Sequence, residues 1–196
     1  MRFSFKPPNR ALMVELETER FILRPASRWE ILRDPHGWRR TPHIYGDLYR
    51  QTGPMNLRVW LKKGPFPDYV RRFTSAIVPK GEDKPIGYHM VKLRGPSSAG
   101  LTAGIHDAAW LGKDVAVEVR VAMMNHFFRH GVDRFTAHII ATNFPSIFTY
   151  RKLGYAYVGT RQQGWVDPMT GEPPELLLFE MRKEDWMRTR YAEPGL

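Results

Sequence analysis

The chain has 196 residues, of which 42% are hydrophobic and 26% charged, a composition that excludes wholesale disorder. A chain of this length usually forms one core, so we expect a single domain. It contains no cysteine, which excludes disulfides, thiolate metal sites and a cysteine nucleophile. Two early prolines argue against a signal peptide, and no apolar run approaches the roughly 20 residues of a membrane span, so we expect a cytoplasmic protein.

The formal net charge of +10 is unevenly distributed along the chain. Residues 1–98 contain 19 Lys and Arg against 9 Asp and Glu, whereas residues 99–196 contain 11 of each kind. Such an excess indicates either an acidic partner or substrate for the N-terminal half, or a solvated surface that improves solubility. Both interpretations stay open on sequence alone.

The N-terminal half combines short strands with an irregular stretch. We predict an extension over residues 1–14, a domain over residues 15–196, and a first strand over residues 19–24 that ends at Pro25. Short helices are predicted over residues 28–33 and 56–63, within a stretch rich in Gly, Pro, Trp and Arg. The runs FTSAIV and PIGYHMVKL flank the polar turn PKGEDK and predict a hairpin, and a third strand follows over residues 101–106.

The C-terminal half has the clearest periodicity. Apolar residues recur at helical spacing at positions 117, 121, 124 and 128, and Gly131 follows as a C-terminal stop. A strand over residues 135–142 precedes a second helix, which begins through Asn143 and Pro145 and ends at Gly154. Two closing strands are predicted over residues 155–160 and 175–181. This order predicts a mixed α/β or α+β sheet with helices packed on it.

The stretch WLGKDVAVEV, residues 110–119, carries the first functional motif. The stretch follows a predicted strand and leads into the helix predicted from the apolar repeat. It contains Leu111, Gly112, Lys113, Asp114, Val115, Ala116, Val117 and Glu118. Further along, the chain has Asn143, Ser146, Lys152, Gly154 and Tyr155. In this order and spacing the chain resembles the GNAT superfamily of N-acyltransferases, especially its ribosomal-protein N-acetyltransferase branch, which has R-G-K-G-Y-A-x-E, then N-x-x-S, then K-x-G-F. The resemblance runs from ETERFILRP near the start to FEMRKEDW near the end. It implies a GNAT-like, mostly antiparallel sheet flanked by helices.

The resemblance implies a site for acetyl-CoA or another acyl-CoA. A helix N-terminus offers unpaired N–H donors and a partial positive charge, which together suit a pyrophosphate. The residues implied to contact the cofactor are Ile105, His106, Leu111, Gly112, Lys113, Asp114, Val115, Ala116, Asn143, Ser146 and Tyr150. Two of them depart from the branch pattern, because Leu111 replaces Arg or Gln and Asp114 replaces the second glycine.

Asp114 allows two interpretations. Asp is a favoured N-cap, and a carboxylate that accepts hydrogen bonds from the first turn of the helix would compete with a phosphate for the same donors. Alternatively, the backbone donors survive the change of side chain and still bind the anion. Asn143 and Ser146 are similarly open, since either can cap the following helix and, by resemblance, also face the cofactor.

Tyr150 occupies the position at which many members of the superfamily have a tyrosine that donates a proton to the leaving thiolate. A phenol with a pKa near 10 is a suitable acid for this step. The alternative is that Ile147, Tyr150 and Leu153 form the packing stripe of an amphipathic helix.

The general base is not evident from the sequence. The strand before the loop has no acidic residue, so His106 and His138 are the candidates, because imidazole titrates near neutrality. Either histidine could instead be structural, and water could relay the proton. Glu118 is interpreted as a support for the loop. No metal site is expected, since the pair His126 and His130 lacks a third ligand.

The sequence thus predicts an acyl-CoA-dependent N-acyltransferase, most simply an N-acetyltransferase, that acts by direct attack of an amine. The basic N-terminal half suggests an acidic or phosphorylated acceptor, or an acidic protein partner. One alternative is a binding protein that keeps the fold without using free acetyl-CoA. Another is an acyltransferase that takes its acyl group from an acidic carrier protein. Residues 38–60 are rich in aromatic and basic residues but contain no recognised nucleic-acid-binding motif, so we expect no nucleic-acid partner.

Overall fold

One mixed sheet organises the protein. The structure is a computed structural model that describes residues 9–33 and 37–196. The strands in these residues are β1 (Leu16–Glu17), β2 (Phe21–Pro25), β3 (Arg72–Pro79), β4 (Gly87–Leu93), β5 (Ser98–Ile105), β6 (Arg134–Ile140), β7 (Ala156–Gln162) and β8 (Glu175–Arg182). The helices are α1 (Arg28–Arg33), α2 (Leu57–Lys63), α3 (Val115–Arg129), α4 (Phe144–Lys152) and α5 (Lys183–Trp186), with a π-helical turn at Ile44–Leu48.

The predicted fold class is confirmed. The strand order is β1-β2-β3-β4-β5-β6-β8-β7, and all neighbours are antiparallel except β5 and β6. The predicted hairpin is β3 and β4, and both long helices lie where the apolar periodicity placed them. Sequence patterns missed β1, α5 and the insertion of β8 between β6 and β7. None of the helices in the described residues is long and apolar enough to cross a membrane.

The two faces of the sheet carry separate apolar clusters. Successive side chains of β3 belong to different clusters. Ile77 packs on the face covered by α3 and α4, and Val78 packs on the face covered by α1 and α2. On the second face Trp38 packs so closely on β5 that a Cβ atom at Gly104 would lie 2.5 Å from the indole ring. Glycine is therefore required at this position of β5 for the close packing of Trp38.

The described part of the predicted N-terminal extension packs on the domain. Leu12 is buried in the same cluster as α3, and the N–H of Asn9 donates to the carbonyl of Tyr69 at 2.9 Å. Residues 1–8 lie outside the described residues.

The sheet opens between β5 and β6. These parallel strands pair only through Ser98 with Arg134 and Ala99 with Phe135. Beyond this point β5 continues to pair with β4 as far as Ile105, and β6 with β8 as far as Ile140. The two strands therefore separate toward their C-terminal ends, and the gap joins the two faces of the sheet.

Candidate active site

A groove occupies the gap and continues toward the start of α3. It consists of three adjoining cavities of about 400, 230 and 310 Å³. The first two share Asn143 and Ser146 as lining residues, and the first and third share Gly112 and Ala116. We call these three cavities the central groove. It is lined by β5, by the loop before α3, and by α4.

Asp114 at the start of α3 does not cap the helix with its side chain. Its backbone is left-handed (φ 56°, ψ 18°), and its carboxylate accepts no hydrogen bond from the first turn. The carboxylate is instead 2.6 Å from Nζ of Lys152. The predicted N-cap carboxylate is therefore wrong, because side-chain capping requires an extended N-cap backbone. The left-handed conformation also explains why a glycine suits this position.

The backbone N–H groups before α3 remain available to a ligand. The helix's hydrogen bonds begin with the N–H groups of Val117 and Glu118, which donate to the carbonyl of Asp114 at 3.0 and 3.1 Å. Over residues 112–116, no N–H donates to a backbone carbonyl in the described part of the chain. Together with the partial positive charge of the helix N-terminus, these donors form an arrangement suited to an anion.

Glu118 holds the loop through Arg20. Its carboxylate accepts hydrogen bonds from the Thr18 hydroxyl (2.6 Å), the Arg20 N–H (2.9 Å) and Arg20 Nε (2.7 Å). Nη2 of Arg20 in turn donates to the carbonyl of Lys113 at 2.9 Å. Burial would raise the pKa of Glu118, but the hydrogen bonds from Thr18 and Arg20 and the charge of Arg20 hold it below its ordinary value. The carboxylate is thus kept ionised as a support, as the sequence predicted.

The start of α4 forms the opposite wall of the central groove. Asn143 caps this helix, since Oδ1 accepts the N–H of Ser146 at 3.2 Å, and Pro145 occupies the first turn. Nδ2 of Asn143 also donates to the carbonyl of Asp47 at 3.5 Å. Ser146 is half-buried and lines the groove. The predicted cap is confirmed, and it links α4 to the turn at Ile44–Leu48.

Tyr150 reaches from α4 across the gap in the sheet. Its hydroxyl donates to the carbonyl of Leu101 on β5 at 3.0 Å. Its ring packs edge-on to Tyr155 and parallel to Phe179, with centroids 4.8 and 6.4 Å away. The ring is therefore part of the core, as the packing interpretation predicts, while the side chain also lines the 230 Å³ cavity.

The two candidate histidines lie in different places. Nε2 of His106 donates to the carbonyl of Pro85 at 2.9 Å. His106 packs near Tyr88 and is not among the groove's lining residues. His138 on β6 is exposed and lines the same 230 Å³ cavity as Tyr150. Partial burial, followed by the charges of Arg94 and Arg161, lowers the pKa of His138. Both effects favour the neutral form of His138.

Most of the residues implied to contact the cofactor are brought together. All of them line the central groove except His106 and Lys113. Nζ of Lys113 lies 5.4 Å from the ring centroid of Trp110, which itself lines the groove. Lys113 is therefore beside the groove rather than in it.

His43, Asp47 and Arg120 are among the lining residues that the sequence analysis missed. His43 and Asp47 belong to the irregular stretch, where no periodicity locates a side chain. His43 Nε2 lies 2.6 Å from the carbonyl of Ile105. Arg120 lies on the buried side of α3. Its position between residues 117 and 124 follows the apolar repeat of this helix, and this spacing could have predicted from the sequence that it is buried.

A buried ion pair joins the irregular stretch of the N-terminal half to the loop between β7 and β8. Both nitrogens Nε and Nη2 of Arg50 donate to Asp167, the former at 2.8 Å. Burial alone would raise the pKa of Asp167, but the hydrogen bonds from Arg50 and the Met169 N–H, with the charge of Arg50, lower it. A cavity of about 560 Å³, lined in part by Tyr49, Trp165 and Lys63, lies next to this pair. The pair fixes the wall of that cavity.

No metal centre is formed within residues 9–33 and 37–196, since no three His, Cys, Asp or Glu side chains converge there. The rings of His126 and His130 contact each other at an angle of 44°, with centroids 4.4 Å apart, and no third ligand joins them in that part of the chain.

Comparison with known proteins identifies the family. The family model described as acetyltransferase (GNAT) domain matches residues 20–156, more than half of the chain. The chain belongs to the GNAT acetyltransferase family. GNAT acetyltransferases use acyl-CoA, so the chain is assigned to the acyltransferases. No curated protein sequence matches this chain.

Solved GNAT structures share the fold at low sequence identity. A GCN5-related N-acetyltransferase from Brucella melitensis has a TM-score of 0.70 and 16% identity, over 93% of this chain and 85% of that one. The ribosomal-protein-S5-alanine acetyltransferase from Vibrio fischeri has a TM-score of 0.66 and 17% identity, over 88% and 98%. An aminoglycoside acetyltransferase in complex with coenzyme A has a TM-score of 0.65 and 18% identity, over 86% and 98%.

Proposed function

We propose that the protein transfers an acyl group from acetyl-CoA or another acyl-CoA to an amine, by direct attack of the amine on the thioester. The observation that carries this proposal is the central groove itself. It connects unaccepted backbone N–H groups before α3 with a gap in the sheet that the Tyr150 hydroxyl enters. Holding the thioester in that gap would supply much of the acceleration through proximity and orientation.

The donor's pyrophosphate is proposed to lie on the N–H groups of residues 112–116. Lys152 adds a cation beside this loop, and Asp114 faces Lys152 rather than the N–H donors. The Asp114 carboxylate therefore does not occupy these donors, as it would in the alternative in which it caps the helix. Gly112, with φ of 73°, allows the loop to turn its backbone toward the groove.

Tyr150 is proposed to protonate the departing thiolate. In this step the bond between carbonyl carbon and sulfur breaks, a carbon–nitrogen bond forms, and the phenol proton passes to sulfur. The hydroxyl would exchange its hydrogen bond to the Leu101 carbonyl for one to sulfur. A buried phenol at the gap is well placed for this exchange.

His138 is proposed to take the proton from the attacking ammonium. It lines the same cavity as Tyr150, and its lowered pKa keeps it neutral and able to accept a proton at pH 7. The side chain of His138 lies on one face of β6, and those of the buried residues Ala137 and Ile139 lie on the other. The acceptor would thus enter from the face of His138 while the donor lies on the face of α3.

The acceptor is proposed to be acidic or phosphorylated. Arg94 and Arg161 act on His138 by charge, so the acceptor face of the cavity is positive. The basic N-terminal half, which supplies Arg94, is consistent with this charge.

Calorimetric titration of the protein with CoA tests the donor site. We expect binding, together with thermal stabilisation of roughly 2.7 kcal/mol at a ligand concentration of about 100 Kd. Adenosine serves as the matched control, because it lacks the pyrophosphate and should bind much more weakly. Absence of CoA binding would overturn the proposal, and binding of CoA only when attached to a carrier protein would favour the carrier-dependent alternative.

A further inference from the structure

Arg120 is a buried cation in the middle of the central groove. Only 4% of its surface is exposed, and on α3 it lies between the buried residues Val117 and Met124. Its guanidinium carbon is 4.5 Å from the ring centroid of Tyr150. The side chain lines both the 400 Å³ and the 230 Å³ cavities, so it is buried and also directed into the groove.

No carboxylate neutralises this guanidinium in the described structure. Nε of Arg120 is buried without a hydrogen-bond partner. The acidic residues at the start of the same helix are engaged elsewhere, Glu118 by Arg20 and Asp114 by Lys152. Asp47 lines the groove but forms no ion pair with Arg120 within 4.0 Å.

His89, which is buried near Arg120, does not supply a negative charge either. His89 on β4 is fully buried, and neither ring nitrogen has a hydrogen-bond partner in residues 9–33 and 37–196. Burial, and then the positive charge of Arg120, lowers the pKa of His89 to about 3. The imidazole is therefore neutral and leaves the guanidinium uncompensated.

A buried charge without a partner is unfavourable, and an anion that enters the groove would relieve this cost. The planar guanidinium presents a fork of N–H donors that matches a carboxylate in particular. A donor with an acetyl group offers only a neutral carbonyl and methyl at this place. A donor whose acyl chain ends in a carboxylate offers the missing counter-charge.

We propose that Arg120 binds a carboxylate at the end of the donor's acyl chain, so that the preferred donor is a dicarboxylic acyl-CoA. This inference rests on the proposed function, since it requires the thioester to lie beside Tyr150. The reaction remains the one described above, with the distal carboxylate unchanged. The acyl chain is favoured over the acceptor as the source, because Arg120 extends from α3, on the donor side of the sheet, whereas His138 faces the other side.

Calorimetry with stable thioether analogues tests the inference without knowledge of the acceptor. The probes are S-(3-carboxypropyl)-CoA, its neutral amide S-(3-carbamoylpropyl)-CoA, which has the same shape, and CoA itself. For the wild-type protein we expect the carboxylate to bind at least tenfold more tightly than the amide. In Arg120→Met the two should bind equally within about twofold, whatever the change in the affinity for CoA itself; Arg120→Lys should keep part of the preference.

The outcomes separate this inference from the proposed function. If CoA binds but the wild-type protein does not distinguish carboxylate from amide, the role of Arg120 is wrong and the donor site stands. If CoA does not bind, both are wrong. A preference that persists in Arg120→Met overturns the assignment to this residue. If free glutamate binds to the CoA-saturated protein through Arg120, but the carboxypropyl analogue gains nothing, the carboxylate belongs to the acceptor and the proposal is overturned.

Stability provides a control for folding. Because Arg120→Met removes an uncompensated buried charge and keeps a long side chain, we expect its melting temperature to be no lower than that of the wild type. A clearly lower melting temperature would show that Arg120 also has a structural role, and the binding comparison is then made with Arg120→Lys. If the variant does not fold, the comparison of carboxylate and amide analogues in the wild type and Arg120→Lys still decides.

Discussion

Replacing Asp114 by glycine should strengthen the binding of CoA. The Asp114 carboxylate lies 2.6 Å from Nζ of Lys152, at the edge of the loop whose N–H groups are proposed to bind the pyrophosphate. In the wild type it forms an ion pair with this lysine and would repel the phosphates of a ligand bound there. Asp114→Gly removes the repulsion and leaves Lys152 free to approach the ligand.

The size of the effect follows from Coulomb's law. The Asp114 side chain is 60% exposed, so the dielectric around it is close to that of water. A unit charge about 6 Å from each of two phosphate charges contributes roughly 0.7 kcal/mol per pair in that medium, or roughly 1.4 kcal/mol in all. We therefore expect a decrease in Kd of about tenfold. The free energy of unfolding should change by less than about 1 kcal/mol, because an exposed ion pair contributes little and glycine tolerates φ of 56°.

Titration calorimetry of CoA at low salt measures this change. Lys152→Met should have the opposite effect, a weakening of about tenfold by the same Coulomb reasoning. Acetyl-pantetheine is the matched ligand control, because it lacks the pyrophosphate and its affinity should not change in either variant. The reasoning is refuted if Asp114→Gly leaves the Kd of CoA unchanged or raises it, since the carboxylate would then not face the phosphates.

Three further predictions address the chemistry and the stability of the groove. Tyr150→Phe should lower kcat by about 100-fold, as expected for loss of a general acid, while the Kd of CoA changes by less than about twofold; an unchanged kcat in steady-state assays would remove Tyr150 from the mechanism. Because the pKa of His138 lies below the ordinary value of 6.5, wild-type kcat/KM should be constant at neutral pH and fall only as the histidine gains a proton at lower pH. His138→Gln should abolish the fall of kcat/KM at low pH and lower kcat/KM by about 100-fold. The control His130→Gln changes an exposed histidine and should keep the same pH dependence as the wild type. Arg50→Met should reduce the free energy of unfolding in urea by about 3 kcal/mol, because it leaves Asp167 buried without its partner; the double variant Arg50→Met with Asp167→Asn should recover part of the loss. The lowered pKa of Asp167 means that the pair stabilises the fold above the unfolded pKa of about 3.9 and that this contribution is lost as pH falls through the folded value. Failure of the double variant to recover stability would show that lost packing, not charge, causes the change.

The elements that sequence patterns predicted are those determined by local interactions. Helix α3 has apolar periodicity and ends at Gly131, which has φ of 87°. Helix α4 has its Asn143 cap, an early proline and Gly154 at φ of 83°. The position of β8 between β6 and β7 depends instead on pairing between residues far apart in the chain, which no local pattern encodes. The same is true of the end of β5–β6 pairing at Ala99 and Phe135, and hence of the gap itself.

Some residues of the candidate site could likewise be predicted from local patterns and others could not. The loop at 111–116 and Tyr150 could be found because motif spacing places them relative to α3 and α4. Asp47 could not, because it reaches the groove from the π-helical turn at Ile44–Leu48. The contact of Asp114 stayed open between two interpretations, since the composition of a helix start does not determine whether its first residue is extended or left-handed.

The charges along the central groove suggest why a second anion site would be useful. At one end the N–H groups before α3 and Lys152 favour the pyrophosphate, which every CoA thioester carries. That end cannot distinguish one acyl group from another. Arg120, a buried cation beside Tyr150, lies where the acyl group of the proposed donor would be. Binding energy from a distal carboxylate at Arg120 would hold the acyl chain at a second point and so restrict the orientation of the thioester carbonyl toward the amine. Selectivity for the donor and alignment of the reacting carbonyl would then come from the same contact.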